Sequence, residues 1–322
     1  MNKKQTGIFL CFFSKVLLKK LYLCIIIEFL DKEEMKKEFD VESITRDHIN
    51  LERMIASKNE KLLRCIPKFV MRWFKKLLHL DRINEEIYNQ RHLDGPQFAK
   101  YVVEDYLKVK IEIINPENIP YTSRSLLVAN HPIGSIDGMA LIDIVGEKRS
   151  DILFPVNDML CALPNFRDVF VPINKYGKNS SNHDVLNDAF RSDSCVMFFP
   201  AGTESKIIDG KFQDFSWKKT FVKKAIEFQR EVVPVYIEGK NSKRFYRLSA
   251  IRRFFGMKFD LEMILLPDEM FRYSGKTIKI TFGKPIKWET FTKERSHKEW
   301  AAVVRNHVYD LKDNPQKELI IE

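Results

Sequence analysis

Ser125-Leu126-Leu127-Val128-Ala129-Asn130-His131-Pro132-Ile133-Gly134-Ser135-Ile136-Asp137-Gly138 is the stretch on which the reading of this chain turns. It opens as a short apolar run and leads into Met139-Ala140-Leu141-Ile142-Asp143-Ile144-Val145, apolar with a helical period. A buried strand therefore passes through a turn into a helix, and Gly134 and Gly138 let the backbone turn sharply there. His131 and Asp137 fall on that turn. Histidine is the side chain best placed to take a proton near neutral pH. A carboxylate across the turn can hold the ring by its other nitrogen, fixing the tautomer and stabilising the imidazolium. Local pattern alone leaves a second reading open, in which the carboxylate merely satisfies a structural histidine.

Around this stretch the pattern alternates. Strands are predicted at 125–129, 151–155, 169–173, 195–199 and 232–237, and helices at 138–147, 182–191 and 218–229. Further strands are expected at 259–266 and 276–281, with a helix at 297–311. Strands separated by helices imply an α/β fold: a mostly parallel or mixed sheet flanked by helices. Functional residues in such folds gather where the strands end. Upstream, residues 42–114 read as mainly helical. In the run from Pro67 to Leu78, the residues Ile66, Phe69, Val70, Trp73, Phe74, Leu77 and Leu78 share one helical face. Lys68, Arg72, Lys75 and Lys76 border the other. This is the pattern of a helix lying in a lipid headgroup layer, and equally that of a core-packed helix with a solvated basic face.

The bulk properties suit one large domain with a helical extension: 322 residues, 44% hydrophobic and 30% charged. The net charge is +10, of which residues 1–80 carry +7 (17 Lys/Arg against 10 Asp/Glu). A basic, apolar end points to an anionic surface, lipid or nucleic acid. Zinc, RNA-recognition and helix-turn-helix patterns are absent, which sets nucleic acid aside. Cys11, Cys24, Cys65, Cys161 and Cys195 are scattered without metal-type spacing and read as reduced thiols. Residues 7–29 are rich in Phe, Leu and Ile but are interrupted by Lys15, Lys19 and Lys20. A span needs about twenty mainly apolar residues, and central lysines oppose it. Residues 1–34 are thus an interfacial segment or sequence upstream of a start at Met35. The expected organisation is 1–34, then a helical membrane-contacting region 35–114, then the main domain 115–322.

Three more blocks follow the His/Asp turn. Phe170-Val171-Pro172-Ile173-Asn174-Lys175 is a strand running into a cation. Val196-Met197-Phe198-Phe199-Pro200-Ala201-Gly202-Thr203-Glu204-Ser205 is an apolar strand ending in a turn. Val232-Val233-Pro234-Val235-Tyr236-Ile237 is another buried strand. In this order and spacing the four blocks, spread over about residues 120–285, resemble the glycerolipid acyltransferase family, whose best-known members are lysophosphatidate acyltransferases. The serine-hydrolase elbow Gly-x-Ser-x-Gly is not met around Ser135, because position 133 is Ile.

The resemblance makes His131 the general base and Asp137 its orienter. It places Lys175 where the family has an arginine, and assigns Pro200, Gly202, Thr203, Glu204 and Ser205 to substrate binding. It also implies transfer of a fatty acyl group from an acyl thioester, on acyl carrier protein or coenzyme A, to the hydroxyl of a membrane lyso-lipid. No metal or separate cofactor is implied. The expected place is the cytoplasmic face of the inner membrane, peripheral or monotopic, with Lys68, Phe69, Arg72, Trp73, Phe74, Lys75 and Lys76 touching lipid. The run from Lys240 to Phe255 is a candidate surface for the acidic carrier protein, or for lipid.

Three departures stand out. Five residues rather than four separate His131 from Asp137, Ala201 replaces the third-block glutamate, and Glu204 replaces its arginine. Bacterial relatives that acylate amino-acid lipids have a similar His-Pro-x-Gly-x-x-Asp-Gly and Phe-Pro-Ala-Gly pattern, and this chain resembles those most. A phosphate monoester is best held by planar arginine forks, and an exposed Glu204 would repel it. The expected acceptor is therefore a monoacylated amino-acid lipid, with lysophosphatidate as the alternative.

Overall fold

Ser125–Ala129 is buried along its whole length and becomes the middle strand of a seven-stranded sheet. The structure, a computed structural model, describes residues 41–157, 160–161, 163–173, 180–257 and 260–320; the segment 1–34 and Lys175 lie outside the described residues. The strands are β1 (Lys110–Ile114), β2 (Ser125–Ala129), β3 (Ile152–Asn157), β4 (Phe170–Ile173), β5 (Cys195–Phe198), β6 (Lys206–Ile208), β7 (Lys211–Gln213), β8 (Glu231–Ile237) and β9 (Thr277–Phe282). The helices are α1 (Leu51–Cys65), α2 (Lys68–Leu77), α3 (Leu80–Asn89), α4 (Gly95–Lys100), α5 (Ile136–Gly146), α6 (Ser180–Arg191), α7 (Thr220–Glu227), α8 (Lys243–Phe254), α9 (Leu266–Phe271) and α10 (His297–Asp310).

The main sheet runs β1-β9-β8-β2-β5-β3-β4. β8, β2, β5, β3 and β4 are mutually parallel, while β9 is antiparallel to β8 and β1 is parallel to β9. The sheet is therefore mixed, and five strands end at one edge. Its centre is apolar on both faces. Leu127, Ala129, Met197, Val233 and Val235 point into one cluster with Ala140, Leu141 and Ile144 of α5. Leu126, Val128, Val196 and Val232 point into the other with Phe221 and Val222 of α7 and Trp300 and Val304 of α10. This period-two division is what a strand covered on both sides requires.

The opposite edge is closed by Arg230. It is fully buried and donates to the carbonyls of Ser125, Ala189, Phe190, Ser192 and Ser194. Two of these carbonyls belong to the last turn of α6, where a cation also meets the negative end of the helix dipole. Burial pushes its pKa down to about 10, so it remains charged at neutral pH.

Several sequence expectations are corrected. The described part of 259–266 is not a strand: Leu261–Leu265 is a 3-10 helix running into α9. Leu261, Ile264 and Leu265 are buried at helical spacing, and Pro267 suits a first helical turn but cannot donate to a sheet ladder. The helical region ends before β1, whose Lys110–Ile114 joins the sheet beside β9. The hairpin β6–β7 was not anticipated, although Asp209-Gly210, both with positive φ, is a two-residue hairpin signal.

Helix α2 divides its apolar residues. Met71, Phe74 and Leu78 are buried against Leu51, Ile55, Leu261 and Ile264. Phe74 therefore faces the core rather than lipid, and Lys75 is turned to Glu52 at 2.8 Å. The apolar arc is wider than the core it meets, and its far border stays outside. Phe69 is 67% and Trp73 56% exposed, among the exposed Lys68, Arg72 and Lys76.

Candidate active site

The His/Asp turn lies at the edge where the five parallel strands end. Asn130 fixes the chain as it leaves β2. Its side-chain NH2 donates to the Ile237 carbonyl at 2.9 Å, and its oxygen accepts from Ile237 N–H at 2.7 Å, tying the ends of β2 and β8 together. The loop then folds inward. Gly134 has φ +85, and a Cβ there would stand 2.8 Å from Glu204 Cβ, so the position requires glycine on two counts.

Asp137, in the first turn of α5, is wholly buried. Its Oδ2 lies 3.0 Å from His131 Nδ1 and accepts from Ile133 N–H at 3.0 Å and Gly134 N–H at 3.2 Å. The same carboxylate oxygen thus closes the loop and fixes the ring. A ring that donates through Nδ1 keeps Nε2 as its basic nitrogen. His131 stacks on Phe199 with centroids 3.9 Å apart, and its side chain remains 17% exposed. Burial pushes its pKa down, but the charge and hydrogen bond of Asp137, helped by Asp214 and Glu204, prevail and leave it raised above 6.5. Burial pushes Asp137 up, but His131 and the two backbone N–H groups prevail and leave it lowered. The raised His131 stabilises the fold below pH 6.5, an effect lost as pH rises through its folded pKa. Asp137 stabilises it above its ordinary pKa of 3.8, an effect lost as pH falls through the lowered value.

The turn after β5 is knitted to this loop. Ser205 N–H donates to the His131 carbonyl at 2.7 Å. Ser205 Oγ donates to Asp214 Oδ1 at 2.5 Å, and the same oxygen accepts from His131 N–H at 3.3 Å. Trp217 Nε1 donates to Asp214 Oδ2 at 2.9 Å. Asp214 thus joins two of the four blocks, a role no local sequence pattern signals, because the β6–β7 hairpin returns it to the site. Pro200 is buried, while Gly202 and Thr203 stay accessible; Gly202 has φ +68.

Glu204 does not stand free toward a substrate. It is buried, accepts from Thr203 Oγ1 at 2.8 Å and is ion-paired with Lys206. Lys206 also reaches Glu262 at 2.7 Å, and Arg252 binds Glu262 at 3.0 Å and Asp260 at 2.9 Å. The expected repulsion between Glu204 and a phosphate is corrected accordingly, since its charge is compensated inside the protein. Ser205 likewise spends its hydroxyl on Asp214.

A groove of about 1850 Å³ opens beside the turn, with Asn130, Pro132 and Ser205 in its lining. Among the described residues, the carboxylates close enough to share a cation are Glu104, Asp143 and Glu147, but Lys100 already pairs with Glu104 at 3.9 Å and with Glu147.

The arrangement suits proton removal from a weak acid: an imidazole of raised basicity, tautomer-locked by a buried carboxylate. His131→Ala should abolish catalysis, and Asp137→Asn should lower kcat by ~10²–10⁴-fold. Steady-state kinetics on folded variants checks both, and near-normal turnover of His131→Ala would remove His131 from the chemistry.

The chain is 38% identical over 265 residues to the lyso-glycine lipid O-acyltransferases of Phocaeicola vulgatus and Bacteroides thetaiotaomicron, covering 82% of this chain and 95% and 97% of theirs. A solved 1-acyl-sn-glycerophosphate acyltransferase from Thermotoga maritima matches 94% of this chain and 98% of its own at 16% identity and a TM-score of 0.44. The family model described as Acyltransferase matches residues 53–317, from the first helices through the last, and the chain belongs to that acyltransferase family.

Proposed function

We propose that this acyltransferase moves a fatty acyl group from an acyl thioester to the hydroxyl of a lyso-lipid, and that the acceptor is a monoacylated amino-acid lipid. The observation that carries the reading is the 38% identity to two lyso-glycine lipid O-acyltransferases along nearly their whole length. The absence of a guanidinium at position 204 supports it. A phosphate monoester carries close to two negative charges, and position 204 offers it no guanidinium fork but a carboxylate already neutralised by Lys206.

In this reading His131 Nε2 takes the proton of the acceptor hydroxyl as its oxygen attacks the thioester carbonyl. The new C–O bond forms, the C–S bond breaks, and the proton passes from the imidazolium to the departing thiolate. Asp137 stays ionised and favours the imidazolium throughout. Lys175, through resemblance, binds the headgroup or the carbonyl oxygen, and Gly202 and Thr203 are the accessible members of their turn. The donor thioester is that of acyl carrier protein or coenzyme A, as co-substrate. Mass spectrometry of lipids made by the purified protein from labelled acyl thioester tests this. Acylation of a monoacylated amino-acid lipid in preference to lysophosphatidate is expected, and preference for lysophosphatidate would reverse the acceptor assignment.

The enzyme is proposed to meet its acceptor while lying on the cytoplasmic face of the inner membrane. No helix among the described residues is long and apolar enough to cross a membrane. Phe69 and Trp73 of α2 are exposed, as are Ile251 and Phe255 along α8 and Phe254, which is 84% exposed. Leu248 packs against the cluster that buries Met71 and Phe74 of α2, and Ile251 and Phe255 follow it along α8. On α2 the exposed aromatics are bordered by Lys68, Arg72 and Lys76. Exposed aromatics set among cations suit an anionic headgroup layer. Phe69→Ser, Trp73→Ser, Phe254→Ser and Phe255→Ser together should reduce partition onto anionic vesicles by about a hundredfold or more, as buried aromatic area is lost. Co-sedimentation measures this, and unchanged binding would refute the lipid surface.

A further inference from the structure

The groove beside the catalytic turn has a buried and an exposed part to its lining. Asn130, Pro132, Ser205, Tyr236 and Ile237 are buried and uncharged, while Arg305 beside Tyr309 is turned to Gln213 and the Asp214 carbonyl. The whole lining holds nine Lys/Arg against five Asp/Glu. The carboxylates are largely engaged: Glu269 accepts from Ser242, Asp310 pairs with Lys317 at 2.8 Å, and Glu112 faces Lys279 at 3.9 Å. Among the exposed cations of the lining that lack an ion pair, three share one stretch of wall, with Lys240 also lying over the Phe212 ring. Lys240 follows β8, and Lys243 and Arg247 stand one turn apart on α8. All three are exposed, and none has a carboxylate within salt-bridge reach among the described residues.

This wall is held in register with the catalytic loop. Asn241 donates from its NH2 to the Ile133 carbonyl at 2.9 Å, and its N–H donates to Tyr246 OH at 3.1 Å. Tyr273 OH accepts from Lys240 N–H and donates to the Lys240 carbonyl, both at 2.9 Å. A Cβ on Gly239 would come within 2.8 Å of Ile133, so the segment lies directly on the loop. A ligand seated against Lys240–Arg247 therefore lies on a wall tied to the loop that carries His131.

A charged, polar outer wall suits neither an acyl chain nor a lipid tail, both of which need apolar lining. It suits a slender neutral arm with an anion at its far end. In a phosphopantetheine thioester the reacting carbonyl sits at one end of a neutral amide chain and the phosphate at the other. We propose that this groove receives the phosphopantetheine arm of the acyl donor, and that Lys240, Lys243 and Arg247 hold its phosphate. The proposal rests on the acyl-transfer reading and adds to it the donor's seat and its point of recognition. The arm is shared by coenzyme A and by acyl carrier protein, so the seat serves either carrier.

The test compares three donors of one acyl chain: acyl-coenzyme A, acyl carrier protein, and an acyl N-acetylcysteamine thioester, which carries no phosphate. Wild type is set against Lys240→Glu, Lys243→Glu and Arg247→Glu combined, with circular dichroism to confirm folding. The milder Lys240→Ala, Lys243→Ala and Arg247→Ala replaces it where the reversal disturbs the fold. The ratio of kcat/KM for each phosphate-bearing donor to that for the phosphate-free donor should fall by about tenfold or more at low salt, carried by KM, and the gap should narrow as salt rises. An unchanged ratio overturns the proposal. A fall confined to one carrier also overturns it, since the nucleotide or the carrier protein, not the shared arm, would then be recognised. If wild type transfers from none of the three thioesters, the acyl-transfer reading itself fails, and the donor seat with it.

Discussion

One buried carboxylate oxygen organises the site. Asp137 Oδ2 takes the ring of His131 and the N–H groups of Ile133 and Gly134 within 3.2 Å, in a place without water contact. A lone buried charge would be costly, and its site would favour the neutral acid. Three donors and the positive end of α5 reverse that preference. Loop closure, ring orientation and ring basicity then share a cause. A change that moved the loop by a fraction of an ångström would weaken all three.

The rest of the molecule holds that oxygen in place. Five parallel strands deliver the motif turns to one edge, and Arg230 ties off the carbonyls at the other. Asn130 bonds β2 to β8, Asn241 bonds the α8 approach to Ile133, and Asp214 bonds the Ser205 turn to His131. Each is a buried polar side chain that bonds backbone or a neighbouring motif, which gives register as well as energy. The chain Glu204–Lys206–Glu262–Arg252–Asp260 fixes α8 and the 260s segment to the same turn. Helix α8 then serves two surfaces: its first turns face the groove, and its far end carries the exposed Ile251, Phe254 and Phe255.

What could be read beforehand follows from how local each signal is. The strands ending at Ala129, Phe198 and Ile237 announce themselves as apolar runs closed by turn residues, and the His131/Asp137 pairing is carried by fourteen consecutive residues. Asp209-Gly210 was equally local, and the hairpin it makes could have been found. Asp214 could not, because its partners come from residues 9 and 83 positions away. The same limit explains Glu204. Its identity as a departure from the family pattern is visible, and so is Lys206 two residues on, but the anchoring of that lysine by Glu262 comes from 56 residues downstream. On α2 the breadth of the apolar stripe was legible, whereas the side that met the core depended on Leu261 and Ile264.

The account depends most on His131 being a tautomer-locked base whose affinity for protons is set by Asp137. Nitrogen NMR of the imidazole across a pH titration, in wild type and in Asp137→Asn, measures this without any substrate. The account predicts a neutral ring protonated on Nδ1, titrating above 6.5 in wild type and at a lower pH in the variant. A neutral ring protonated on Nε2, or a titration that does not respond to loss of the carboxylate, would contradict it.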